Sequence, residues 1–154
     1  MVQYLILKNL NFLENIEYMD KCTDWFNEIK RQDKDNNKEG LPITVNFRIN
    51  EKLKAKLLNL SEKSNIKYSV FCRTAIRRLK LTNFSNDYVD LIEKETNAKK
   101  NVRIRFSIDQ QLNDEFTLTS VYLHTGKQRT ISLMLYLLLK EYDEVVNTQN
   151  EKST

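Results

Sequence analysis

The sequence has few residues that break or cross-link a chain: 154 residues include two glycines, one proline and two cysteines. β-Sandwiches need many turns, which favour glycine and proline, so this scarcity favours a helix-rich protein. Cys22 and Cys72 match no metal-binding or redox spacing, and we interpret them as free thiols in a reducing compartment. His124, the single histidine, has no nearby carboxylate or cysteine cluster and is typical of a helix end.

The sequence also lacks a long apolar run and a secretion signal. Its longest apolar stretch, Ile131 to Leu139, contains one serine and is far shorter than the roughly 20 residues that span a bilayer. The N-terminus has no basic start followed by an apolar middle and a cleavage site. We therefore expect a cytoplasmic protein with no membrane partner. Because no nucleophile, metal or phosphate-loop motif is present, we expect no enzymatic activity and no cofactor.

Positive charge is concentrated in one part of the chain. The net charge is +4, but residues 41–80 contain ten basic and two acidic side chains and so carry +8. Residues 1–40 carry six basic and eight acidic side chains, a net −2. Such a distribution indicates a polyanion-binding face on an otherwise nearly neutral protein.

One sequence pattern occurs twice, 59 residues apart, at Ile43–Asn50 and Val102–Asp109. In each copy the apolar residues alternate with polar ones, which predicts a half-buried strand. Asn50 and Asp109 then predict helix N-caps directly after the strands. The inward positions match between the copies, as in Phe47 with Phe106 and Ile49 with Ile108.

Each copy continues as strand, helix, short turn and second helix. The first unit predicts helices over 51–64, ending at Asn65, and from about Ser69 to Leu81. The second predicts a helix from Asp109 to near Gly126 and a largely buried helix over 131–145. The expected organisation is an N-terminal helix and polar linker (1–40, with the linker from Arg31), the first unit (41–81), a connecting helix and linker (82–101), the second unit (102–146) and a disordered tail (147–154).

Two strands, one from each unit, predict the fold class. We expect a mainly α-helical protein with a short two-stranded antiparallel β-ribbon, packed on helices through one face and free on the other. The ribbon could form within one chain or between chains. A two-stranded ribbon fits the major groove of B-DNA, and the outward side chains suit base edges. The predicted base-reading residues are Thr44, Asn46, Arg48, Arg103, Arg105 and Ser107.

The start of each second helix predicts a phosphate contact. Backbone N–H groups and the helix dipole favour an anion there, and basic side chains flank both sites. The predicted phosphate-binding residues are Lys67, Ser69, Arg73, Gln128, Arg129 and Thr130.

These residues resemble the ribbon-helix-helix (MetJ/Arc-type) family of transcription regulators over about 43–80 and 102–142. The segment Gly126-Lys-Gln-Arg-Thr130 is similar to the turn that anchors a phosphate in that family, with Gln128 in place of a small hydroxyl residue. Asn65-Ile-Lys-Tyr-Ser69 lacks the glycine of that turn. Most members have one unit per chain and dimerise, whereas this chain has two. Tandem units in a chain rich in lysine, asparagine, isoleucine and tyrosine look like regulators of crenarchaeal viruses. Proteins of Firmicute plasmids and phages share this amino-acid composition. The resemblance implies a repressor-like, sequence-specific protein that binds double-stranded DNA.

Other functions fit the same pattern. The chain could be an antitoxin-like or other protein-binding module, or a protein that coats DNA without sequence preference. Self-association could occur through the N-terminal helix or through ribbon pairing between chains.

Overall fold

The computed structural model describes residues 22–78 and 101–152, with side chains up to residue 148. This part of the chain is mainly helical and contains one two-stranded antiparallel sheet, as the sequence predicts. Its elements, in chain order, are α1 (22–36), β1 (Ile43–Asn50), α2 (Glu51–Ser64), α3 (Tyr68–Arg78), β2 (Asn101–Ile108), α4 (Gln110–Tyr122) and α5 (Lys127–Lys152).

Strands β1 and β2 pair with each other within the chain, which is one of the two arrangements that the sequence leaves open. The register runs from Ile43 opposite Ile108 to Asn50 opposite Asn101. Asn46 lies opposite Arg105, and these two positions are equivalent in the repeat, 59 residues apart. An approximate two-fold axis of the repeat therefore passes through this pair.

The helices begin and end at the caps that the sequence indicates. The Asn50 side chain accepts a hydrogen bond from the Lys52 N–H at 2.7 Å, and Asp109 accepts one from the Leu112 N–H at 2.7 Å. Asn65 ends α2 in the left-handed region, with φ 57°. These caps satisfy backbone groups that a helix end leaves unpaired.

Helix α4 ends in a Schellman motif centred on His124. The residue has φ 52°, its N–H donates to the Val121 carbonyl at 3.1 Å, and the Thr125 N–H donates to the Ser120 carbonyl at 3.2 Å. This pair of bonds closes the helix end. His124 is thus a helix-terminating residue, as the sequence indicates.

The inward face of the ribbon packs on the helices and forms the core. Phe47 and Phe106 meet with ring centroids 6.1 Å apart, and Phe47 lies edge-on to Phe116 at 5.5 Å. Helix α5 supplies the largest buried stretch, as predicted, because apolar residues cover most of its circumference. Its fully or nearly fully buried apolar residues are Ile131, Leu133, Met134, Leu135, Leu138 and Leu139.

Helix α1 covers the far side of α3 through a cluster of aromatic rings. Trp25 stacks near Phe71 with centroids 6.3 Å apart and lies 5.4 Å from Tyr142 of α5. Phe26 packs beside the same rings. Trp25 is a core residue, since it is 7% exposed.

Three predicted boundaries are wrong. Helix α1 continues to residue 36, so six of the ten residues of the predicted linker (31–40) are helical. Helix α5 begins at Lys127 and extends to Lys152, which replaces the predicted disordered tail over most of its length. The connecting helix expected within 82–101, and the first 21 residues of the expected N-terminal helix, lie outside the described residues.

The extension of α1 has a physical reason in Asp33. Its carboxylate accepts hydrogen bonds from Arg73 Nε and Nη2 at 2.9 and 3.0 Å and from Arg77 Nη1 at 2.9 Å. Arg73 Nη1 also donates to the Ser107 carbonyl at 3.0 Å. Asp33 and Arg73 are both buried. This ionic cluster joins α1, α3 and the end of β2.

The cluster predicts a pH dependence of stability. Burial raises the pKa of Asp33, but the hydrogen bonds and charges of Arg73 and Arg77 outweigh it and hold the pKa below its ordinary 3.8. A lowered folded pKa stabilises the protein above the unfolded value, and this contribution is lost as the pH falls through the folded pKa. We therefore expect the Asp33→Asn variant to lose less unfolding free energy than the natural chain between about pH 5 and pH 2. Urea unfolding across this range would measure it, and an equal loss in both proteins would contradict it.

Candidate nucleic-acid interface

The outward face of the ribbon presents polar side chains, as the sequence predicts. Except for the half-buried Ser107, all of them are exposed. They form three facing pairs across the strands: Thr44 with Ser107, Asn46 with Arg105, and Arg48 with Arg103.

The face is cationic and unneutralised. Within residues 22–78 and 101–148, the three arginines form no ion pair with a carboxylate. Arg48 and Arg103 lie directly opposite each other, and like charges in that position destabilise a ribbon. The arrangement is unfavourable for the isolated protein, whereas a polyanion on this face would neutralise it.

Each unit closes the outer edge of the other unit's strand. The Tyr68 hydroxyl, at the start of α3, donates to the Arg105 carbonyl at 2.5 Å and accepts from the Arg105 N–H at 3.4 Å. At the opposite edge, Gln128 Oε1, at the start of α5, accepts from the Arg48 N–H at 2.9 Å. Gln128 therefore has a structural role, because a shorter serine or threonine side chain at this position could not reach the Arg48 N–H.

These contacts place the N-termini of α3 and α5 at opposite edges of the ribbon. Lys67 precedes α3, Arg129 lies in the first turn of α5, and both are exposed. Helix N-termini attract anions through their dipole and unpaired N–H groups. The two ends could therefore contact phosphates on either side of an occupied groove.

Two of the predicted phosphate contacts do not fit the structure. Arg73 is 6% exposed and its guanidinium is bonded to Asp33 and Ser107, so it belongs to the core. Thr130 is fully buried, and its hydroxyl and N–H both bond the Gly126 carbonyl at 3.0 Å. Gln128 is exposed, with its amide oxygen bonded to the strand, and Ser69 is half-buried.

The positive charge of residues 41–80 is partly internal. Arg73 and Arg77 are bonded to Asp33, and Arg78 Nη1 lies 2.6 Å from Glu141 Oε1. Three of the ten basic residues of this segment are thus paired with two carboxylates outside it, because Arg73 and Arg77 share Asp33. Of the other basic residues that the structure describes in this segment, those left exposed are Arg48, Lys52, Lys56, Lys63 and Lys67.

In the described part of the chain, no group of three histidine, cysteine or acidic side chains could hold a metal, and no helix is long and apolar enough to cross a membrane. An open groove of about 430 Å³ lies between α2 and α5, and its lining, which includes Lys52, Lys140 and Asp143, contains no histidine, cysteine or serine.

An apolar strip on α4 differs between the two units. Leu118, Val121 and Tyr122 are 58–65% exposed and lie at helical spacing on one face. The equivalent positions of α2, 59 residues earlier, are Asn59, Glu62 and Lys63. The exposed apolar residues of this strip thus have polar counterparts at the equivalent positions of α2.

Comparison of the chain with protein-family models, with curated proteins and with solved structures gives no match. Function is therefore inferred from the chemistry and geometry of the ribbon itself.

Proposed function

We propose that the chain is a sequence-specific DNA-binding transcription regulator of the ribbon-helix-helix type. The observation that carries this proposal is the exposed ribbon face, on which three arginines have no described carboxylate partner and two of them oppose each other. The ribbon enters the major groove of double-stranded DNA and its outward side chains contact base edges.

The chemistry of the face supports base recognition. An arginine fork suits the O6 and N7 acceptors of guanine, and an asparagine amide suits the N7 and N6 groups of adenine. Arg105 and Asn46 form the central pair, so both kinds of contact are available from the middle of the ribbon. Thr44 and Ser107 add hydroxyl groups, each of which can donate or accept a hydrogen bond.

The setting of the face supports the same proposal. Two strand–helix–helix units place the starts of α3 and α5 at the two edges of the ribbon, where backbone N–H groups position a protein on phosphates. The order of elements is the one that the family resemblance implies, and in that family the outward residues of the strand contact bases.

A fluorescence-anisotropy titration tests the proposal. The full chain would be titrated onto duplex DNA from upstream of its own reading frame, with random duplex as competitor at the same salt. Specific regulators prefer their sites by about 10³-fold or more. Equal affinity for both duplexes would indicate a DNA-coating protein, and no binding to either would refute the proposal.

Removing a phosphate contact should weaken all DNA binding alike. We expect Lys67→Ala to reduce affinity for specific and random duplex by a similar factor and to lower the slope of log affinity against log salt by about one. Anisotropy titrations at several salt concentrations would measure both. Arg73→Ala is unsuitable for this purpose because Arg73 is buried. An unchanged slope for Lys67→Ala would remove this residue from the interface.

A further inference from the structure

We infer that the ribbon recognises a DNA subsite without two-fold symmetry, with guanine placed at the end that faces Arg48 and Arg103. This inference rests on the proposed function and adds the class of DNA sequence that the site selects. It follows from the difference between the two ends of the ribbon.

A ribbon made of two identical chains presents the same side chains at both ends. Here the backbone keeps that symmetry but the side chains do not. Thr44 is equivalent to Arg103, and Arg48 is equivalent to Ser107, each 59 residues apart. Because the register pairs Thr44 with Ser107 and Arg48 with Arg103, both hydroxyl residues meet at one end and both arginines at the other.

The two ends differ in charge and in reach. At the hydroxyl end, Thr44 Oγ1 and Ser107 Oγ lie 3.3 Å apart, within hydrogen-bonding distance, and carry no charge. At the arginine end, two guanidinium groups carry two positive charges and several N–H donors each. A major-groove edge rich in acceptors, as guanine provides, fits the arginine end better than the hydroxyl end, because one guanidinium can bond guanine O6 and N7 together whereas a hydroxyl donates a single hydrogen bond.

The backbone at the arginine end is held in place from both sides. Gln128 accepts a hydrogen bond from the Arg48 N–H at 2.9 Å, and Lys54 Nζ donates to the Arg103 carbonyl at 2.8 Å. Both arginines therefore project from backbone positions that are fixed before DNA binds. Pre-organised groups lose less entropy on binding, which favours strong discrimination at this end.

Selection from a random duplex library with the full natural chain tests the inference. We expect the enriched subsite to contain guanine on one side of its centre and a different sequence on the other. A palindromic subsite would overturn the inference while leaving the proposed function intact. No enrichment of any sequence would overturn both.

Two palindromes, each made by duplicating one half of the enriched subsite, give a sharper comparison. The natural chain should bind the original subsite about 10-fold or more better than the palindrome of the hydroxyl-end half, which lacks the guanines. The double variant Thr44→Arg/Ser107→Arg, altered at one exposed and one half-buried position of the outward face, should instead prefer the palindrome of the guanine-containing half. If this variant kept the preference of the natural chain, the assignment of the two ends would be wrong. Circular dichroism would establish that both proteins are equally folded.

Discussion

Replacing Asp33 by alanine should lower the free energy of unfolding by about 3 kcal/mol or more. The carboxylate is bonded to two arginines, and its side chain is only 10% exposed. Removing one partner from a buried ion pair leaves an uncompensated buried charge, and here Arg73 also holds the Ser107 carbonyl at the end of β2. Urea unfolding at neutral pH, followed by circular dichroism, would measure the loss.

The ion pair between Arg78 and Glu141 provides a matched control. Its N–O distance of 2.6 Å is shorter than those of Asp33, but its side chains are 31% and 36% exposed. Solvent-exposed pairs contribute about 0–1 kcal/mol, so Arg78→Gln should change stability little. If the two variants were equally unstable, burial of the Asp33 cluster would not be the cause.

Replacing Arg103 by alanine should weaken binding to the specific site by roughly 1–3 kcal/mol, or about 5- to 150-fold, and relax discrimination at one base pair. The free protein should be as stable as the natural chain or slightly more stable, because the substitution removes the repulsion from Arg48. Anisotropy titrations on the specific site and its single-base variants would measure the first effect, and urea unfolding the second.

The Arg103→Lys variant separates charge from recognition. Lysine keeps the positive charge but lacks the planar fork that bonds two acceptors of guanine. We expect this variant to keep most of its affinity for random duplex and to lose discrimination. If Arg103→Ala left the ratio of specific to random binding unchanged, Arg103 would not contact a base.

The sequence predicts the ribbon well because its information is local. Alternation of apolar and polar residues decides which side chains of β1 and β2 face the core, and a strand directly followed by a capping residue decides where each helix begins. The helical spacing of Leu53, Leu57 and Leu60 likewise predicts the buried face of α2, and all three are buried.

The sequence fails where a side chain finds a distant partner. The stretch after Arg31 has no apolar residue and so has the composition of a linker, yet Asp33 is buried because Arg73, forty positions later, neutralises it. Arg73 is likewise a charged residue that the sequence alone places at the surface, whereas its ion pair with Asp33 allows it to be buried. One sequence signal was available: Arg73 lies in a short helical segment beside Phe71, Cys72, Ala75 and Ile76, and a charge among apolar residues has to be paired when that segment is buried. In the structure all residues from Phe71 to Ile76 are buried.

The closure of the ribbon edges was equally beyond the sequence. Tyr68 and Gln128 precede or begin helices, a position that predicts capping or anion binding, but each contacts the strand of the other unit. Such contacts depend on how the two units pack, and no periodicity within either unit reports that packing. They also occupy N–H and carbonyl groups at the outer edges of the ribbon with which another strand could otherwise pair.

Covalent linkage of the two strands has a consequence for dilution. In a regulator assembled from two chains, the ribbon is lost when the protein concentration falls below the dissociation constant of the dimer and the chains separate. Occupancy of a DNA site then depends on two equilibria, dimerisation and DNA binding. Here β1 and β2 pair within one chain, and the face that they form does not depend on meeting a second molecule. The ribbon would therefore be as fully formed at a few copies of the protein per cell as in a concentrated protein solution.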